Sequence, residues 1–95
     1  MPKGYIVARI VVTNSEQYAE YVKDASEAIR KYGGKPLVRG GTVEQLEGEA
    51  RPRNVVIEFE TLEQAKRYYH SPEYQAAKKK REGAGRADIV AVEGA

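Results

Sequence analysis

GYIVARIVV, residues 4–12, is the stretch on which the fold turns. Its β-branched content and length mark a strand. Ile6, Ala8, Ile10 and Val12 form one wholly apolar face, and Tyr5, Val7, Arg9 and Val11 form the other. A strand this apolar on both sides needs cover on both sides. NVVIEFE (54–60) and RADIVAVEG (86–94) repeat the pattern. Val55, Ile57, Phe59, Ala87, Ile89 and Ala91 suit one side, leaving Val56, Glu58, Asp88, Val90 and Val92 on the other. KPLVRGGTVEQLEG (35–48) reads as two short extended pieces broken at Gly40-Gly41, with Leu37 and Arg39 sharing a parity. EGEARPR (47–53) reads as a polar loop.

Between the strands the period changes to that of a helix. Tyr18, Tyr21, Val22, Ala25, Ala28, Ile29 and Tyr32 recur at three- and four-residue steps, opposite Glu16, Glu20, Lys23, Asp24, Glu27 and Arg30. Asn14 and Gln17 have capping-box spacing at the start of this helix, and Gly33-Gly34 stops it. Thr61 and Gln64 repeat the box before a stripe of Leu62, Ala65, Tyr68 and Tyr69. In RYYHSPEYQAAKKKR (67–81), Ser71 is an N-cap and Pro72 takes the first helical position, so one helix ends and another runs on to Gly83. The order β-α-β-β-α-β, with the second helix broken, predicts an α+β ferredoxin-like architecture: an antiparallel sheet with all helices on one face.

The chain has 95 residues, so residues 1–95 are expected to form a single domain. Its composition is 41% hydrophobic and 32% charged, which fits a globular protein. No apolar run reaches the roughly 20 residues of a membrane span, and MPKGYIV lacks a signal-peptide pattern. With no cysteine, these features predict a cytoplasmic protein without membrane association. A net charge of +2 gives little electrostatic footprint for nucleic acid. The 54–60 strand also turns Asn54, Val56, Glu58 and Glu60 outward, where an RNA-recognition platform presents aromatics, so nucleic-acid binding is not expected.

With the helices on one face, Tyr5, Val7, Val11, Val56, Val90 and Val92 remain on the other, among Arg9, Glu58 and Asp88. Covering five or six such side chains is worth on the order of 10 kcal/mol, and left wet they would form an unusually large apolar patch. A second copy, face to face about a two-fold axis, covers them; a homodimer is the predicted assembly.

GYIVARIVVTN, the tyrosine-rich first helix, KYGGKPLVRGG, LEG, VVIEF, YYHSPEYQ and the closing VEG resemble, in order and over nearly the whole chain, the small bacterial proteins called domain of unknown function 1330. The resemblance implies membership of the dimeric α/β-barrel superfamily, in which two ferredoxin-like units pack sheet to sheet. It implies no established activity and no catalytic residues. Members often carry Trp where this chain has Tyr68, which reshapes any pocket there and removes an indole N–H.

His70, the only histidine, is the candidate for proton transfer; its alternative role is a favourable charge at a helix C-terminus. Arg39, Glu58 and Asp88 form a second set, either an anion anchor with a carboxylate base or ion pairs of a dimer interface. Arg39 is the leading binding candidate, because its RGG context allows close approach to the backbone. Tyr18, Tyr21, Tyr68, Tyr69 and Tyr74 read as core residues, of which Tyr18 and Tyr68 are candidate ligand contacts in a pocket between helices and sheet. Lys78 to Arg81 read as a solvated helix end or a phosphate contact. One histidine and no cysteine exclude the usual zinc sets, and neither a metal nor another cofactor is expected.

Three functional readings follow: a homodimer binding a small molecule, a cofactor-independent monooxygenase or isomerase, or a non-catalytic structural or stress-associated dimer. A pocket lined by Tyr18, Tyr68, His70 and Arg39 would favour the first two, and a filled core the third.

Overall fold

Local sequence sets the element boundaries in the computed structural model, which describes residues 2–95. The order is β1 (Gly4–Val12), α1 (Ser15–Lys31), β2 (Lys35–Arg39), β3 (Arg53–Phe59), α2 (Leu62–His70), α3 (Pro72–Lys80) and β4 (Gly85–Glu93). Asn14 Oδ1 accepts from the Gln17 backbone N–H at 3.1 Å, and Thr61 Oγ1 does the same for Gln64 at 3.1 Å. These are the forward halves of the two predicted capping boxes. The glutamine side chains bond elsewhere. Gln17 donates to the carbonyls of Lys80, the last residue of α3, and of Glu82 just beyond it, and Gln64 donates to the Tyr32 carbonyl at the end of α1. Each therefore joins the start of one helix to the C-terminal carbonyls of another.

α1 ends in a Schellman motif. Gly33 is left-handed at φ 78, Gly34 N–H reaches Ile29 O at 2.8 Å, and Gly33 N–H reaches Arg30 O at 3.3 Å. At the corner between α2 and α3, Ser71 is extended (φ −66, ψ 151), as a residue before proline prefers. Its hydroxyl donates to Tyr68 O at 2.7 Å and accepts from Tyr74 N–H at 3.1 Å, closing one helix and opening the next.

The four strands form an antiparallel sheet in the order β2-β3-β1-β4, with both crossover helices on the same side. This is the predicted ferredoxin-like arrangement. Ile6, Ala8, Ile10, Ile57 and Phe59 are buried beneath α1 to α3, against Tyr21, Ala28, Ile29, Ala65, Tyr68, Tyr74 and Ala77.

The open face has its own order. Val38 pairs with Val56, Val56 with Val7, and Val7 with Val90, so four valines run in one row across all four strands. Val7 and Val56 are half-buried, whereas Val38 and Val90 are 42% and 57% exposed. On either side of this row, Tyr5 sits between Glu58 and Val92, and Arg9 between Asn54 and Asp88.

Three sequence expectations change. The second extended piece, 42–48, is not a strand: β2 ends at Arg39, and residues 40–52 are an irregular, largely exposed loop. Gly40, at φ 69, turns the chain away from β3 after its N–H has bonded Asn54 O. Second, Leu37 and Arg39 do not act as one parity, because a register shift between Pro36 and Val38 makes Leu37 the extra residue of a bulge. Val38 therefore joins the open face, and Arg39, opposite Val55, joins the helix side. Third, Ala91, expected inside, is exposed on the edge strand β4.

Candidate functional site

Where α1 crosses the sheet, the small residues Ala25 and Ser26 and the short Ala8 leave a cavity between helices and strands. Its volume is about 50 Å³, with a mouth open to solvent. A water needs roughly 10–15 Å³ on this measure, so the space suits a compact ligand. Tyr18, Tyr21, Tyr68, Tyr69 and Tyr74 form its aromatic wall, and Ile6, Ile10, Ile57 and Ile89 belong to its apolar lining. Arg39 and Arg53 are the only charged residues in the lining.

The tyrosines form a continuous stack. Tyr68 lies 5.2 Å from Phe59 and 5.0 Å from Tyr74, and Tyr74 lies 6.1 Å edge-on from Tyr21, which is 5.1 Å from Tyr18. The Tyr21 and Tyr74 hydroxyls share a hydrogen bond of 2.9 Å. Burial raises the phenol pKa values of Tyr21 and Tyr68 far above the usual range, and neighbouring Tyr74 raises both further. Burial raises Tyr18 as well, partly opposed by the positive charge of Arg53. At neutral pH these phenols are protonated and able to donate.

Arg53 was read as the end of a polar loop, yet it opens β3 in step with Val55, Ile57 and Phe59. That parity carries it to the helix side. Its guanidinium sits 5.6 Å from the centre of the Tyr18 ring. A Cβ at Gly40 would come within 2.6 Å of Arg53 Nη1. The close approach that RGG allows is thus made by Arg53 itself. The clue in the sequence was the alternation R-x-V-x-I-x-F, obscured by the prolines and charges preceding it.

The set Arg39, Glu58 and Asp88 does not assemble. Arg39 is on the helix side, while Glu58 and Asp88 are on the open face, opposite Tyr5 and Arg9 respectively. The bulge at Leu37 separates them. Tyr5 donates to Glu58 at 3.3 Å. Arg51 pairs with Asp88 at 3.0 Å and holds its carboxyl below the usual carboxylate range. Arg9 donates to the Glu49 carbonyl, so the 40–52 loop is tied to one end of the open face.

His70 does not line the cavity. It is exposed at the last position of α2, edge-on to Tyr69 at 5.3 Å, in a separate hollow with Lys66, Ile89, Val90 and Ala91. In the basic run, Lys78 donates to the Tyr69 hydroxyl at 3.2 Å, Lys80 pairs with Asp24, and Arg81 lies 5.2 Å from the Tyr21 ring centre. Three of the four cations in 78–81 thus hold α3 to its neighbours. No group of three or more His, Cys, Asp or Glu residues among those described is placed to hold a metal ion, and no helix is long and apolar enough to cross a membrane.

A β-α-β-β-α-α-β chain with this sheet order and a cavity under its helices belongs to the ferredoxin-like class. Residues 3–95 match a family model, and the chain belongs to the family described as Domain of unknown function (DUF1330). No curated protein matches the sequence. Among solved structures, it is similar to a protein of unknown function from Rhodopseudomonas palustris, with 17% identity, a TM-score of 0.79 and coverage of 99% of this chain and 83% of the other. A dimeric protein of unknown function and ferredoxin-like fold from Bacteroides fragilis is 17% identical, with a TM-score of 0.58 and coverage of 96% and 95%. SnoaB, a cofactor-independent oxygenase from Streptomyces nogalater, is 11% identical, with a TM-score of 0.61 and coverage of 95% and 90%.

Proposed function

We propose that this protein is a homodimer that binds a small molecule in the cavity between its helices and sheet, with Arg39, Tyr18 and Tyr68 as ligand contacts. The observation that carries this reading is the cavity itself: apolar, walled by tyrosines, open at its mouth and bearing arginine as its only charge. Apolar pockets with a few convergent polar groups are the usual form of ligand sites. The dimer is supported by the row Val38–Val56–Val7–Val90, which no helix of this chain covers, and by the dimeric state of the Bacteroides fragilis protein.

Native mass spectrometry of protein purified under gentle conditions tests both parts. The expected species is a dimer carrying a small additional mass. A monomer that retains nothing and responds to no fragment-sized compound in an NMR screen would refute the reading.

A second reading, a cofactor-independent monooxygenase or isomerase, is favoured by the likeness of fold to SnoaB. In that reading His70, Glu58 or Asp88 would supply the catalytic group. All three stand outside the cavity lining, which is why binding is preferred to catalysis. On a genuine substrate, His70→Ala or Arg39→Ala should abolish turnover while leaving the fold intact; unchanged turnover in both would remove those roles. The cavity also weighs against the purely structural dimer, for which a filled core was the expectation.

A further inference from the structure

Resting on the small-molecule reading above, we infer that the cavity takes a small carboxylate, its anionic end held by Arg53 together with Arg39 and its apolar body placed among the tyrosines. Charge is the first argument. The lining holds two guanidiniums and no carboxylate. Among the described residues neither arginine takes part in an ion pair, although Lys3, Arg30, Lys31, Arg51, Lys66 and Lys80 all do. Arg39 opposite Val55 and Arg53 two residues along β3 are diagonal neighbours on one face of the sheet.

Arg53 supplies the second argument. Its Nε is buried and has no hydrogen-bond partner. A guanidinium in that condition is costly unless something completes it. Arg81 Nε is also unpartnered, but the Arg81 guanidinium rests against Tyr21 and reaches the Tyr74 hydroxyl at 3.5 Å, and it is outside the cavity lining. Arg53 has the Tyr18 ring face and the bare Gly40 backbone against it, and its Nε–H meets neither a carboxylate nor a carbonyl. Gly40 lacks the Cβ that would displace Nη1, so the guanidinium is seated between ring and backbone with its orientation set before any ligand arrives.

The shape of the anion follows from the rest of the wall. A carboxylate matches the fork of a guanidinium in two parallel hydrogen bonds. Beyond the arginines the lining is aromatic and aliphatic, relieved by Ser26 and by protonated phenols that can donate to a carboxylate oxygen. Free phosphate would leave that wall without a partner, and a neutral compound would leave the buried Nε–H of Arg53 without an anion, whereas Arg39, exposed on β2, keeps its water.

The test is an NMR titration of the full-length chain, following backbone amides and arginine Nε–H signals, with isobutyrate, isobutyramide and inorganic phosphate. Isobutyrate is expected to shift the Arg53 Nε–H and Tyr18 signals, and to bind about tenfold or more tightly than isobutyramide. Arg53→Gln should weaken isobutyrate by about ten- to a hundredfold, and Arg53→Lys should restore part of that loss because it keeps the charge without the fork. Equal binding of acid and amide, or an unaffected Arg53→Gln protein, overturns the carboxylate while leaving small-molecule binding intact. Phosphate binding as tightly as isobutyrate overturns the apolar body. Failure of both organic probes to perturb the cavity overturns this inference and counts against the binding reading too. Should Arg53→Gln not fold, the acid-to-amide ratio on the unaltered protein and the Arg53→Lys variant decide.

Discussion

Tyr21 and Tyr74 are 8% and 2% exposed, and each satisfies the other's hydroxyl at 2.9 Å. Such a pair is worth little over two phenylalanines, but half of it is costly. Tyr74→Phe is expected to destabilise the protein by about 1–3 kcal/mol, because the buried Tyr21 hydroxyl loses the partner it bonds at 2.9 Å. The double variant Tyr21→Phe/Tyr74→Phe should recover part of that loss. Chemical denaturation of the three variants measures the coupling, and a strictly additive double variant would show that the hydroxyls do not depend on one another. The pH response has a definite sign. The buried phenols of Tyr21 and Tyr68 have raised pKa values, so their contribution is complete below the ordinary phenol value of 10.0 and is lost as pH rises above it. As pH is raised from neutral, the thermal midpoint should therefore fall steeply only beyond about pH 10. Single residues of this kind were legible as buried from helical spacing alone. Their hydroxyl pairing was not, because it joins α1 to α3 across 53 positions of sequence.

The helices depend on their ends at the scale of elements. Ser71 serves two of them at once, so Ser71→Ala should cost about 1–2 kcal/mol, as a lost N-cap does. Ser71→Asn, which keeps a capping oxygen, should recover much of it, and denaturation midpoints compare the pair. Between α1 and α3, Lys31 and the Tyr32 hydroxyl both bond the Glu73 carboxylate, the latter at 2.8 Å. The Lys31 hydrogen bond is the main cause that lowers the Glu73 pKa from 4.5 to about 2. A depressed carboxylate stabilises above its unfolded pKa, so this clamp is complete above about pH 4.5 and is lost as pH falls toward 2. An NMR pH titration should find Glu73 still ionised at pH 3, and an ordinary carboxylate midpoint would refute the clamp. The caps themselves were readable in order, since Asn14, Thr61 and Ser71-Pro72 act on residues within one turn. The bulge at Leu37 was not readable, because pairing with β3 decides it.

For the whole molecule, the open sheet face is the apolar surface that the described helices leave uncovered. Burying four aligned valines is worth roughly 1.5–3 kcal/mol for each that becomes fully covered. In the proposed dimer, an aspartate at Val7, in the middle of the row, brings an unpaired charge into the interface. Val7→Asp should convert the dimer to a folded monomer, seen by light scattering together with an unchanged far-ultraviolet circular dichroism spectrum. A variant that remains a dimer at micromolar concentration would place the interface elsewhere.

Alternation and capping settle much of this protein in the sequence itself. GYIVARIVV, NVVIEFE and RADIVAVEG declare strands by their alternation, and the helix starts are written in three caps, because each signal acts between near neighbours. The contents of the cavity were decided only by the folded chain. Arg39 left the company of Glu58 and Asp88 because one extra residue in β2 reversed its face. Arg53 arrived beside Tyr18 because β3 begins one residue earlier than its loop-like surroundings suggested. A side chain's face depends on register, register depends on hydrogen bonds to a strand distant in sequence, and a shift of one residue turns the side chain to the opposite side.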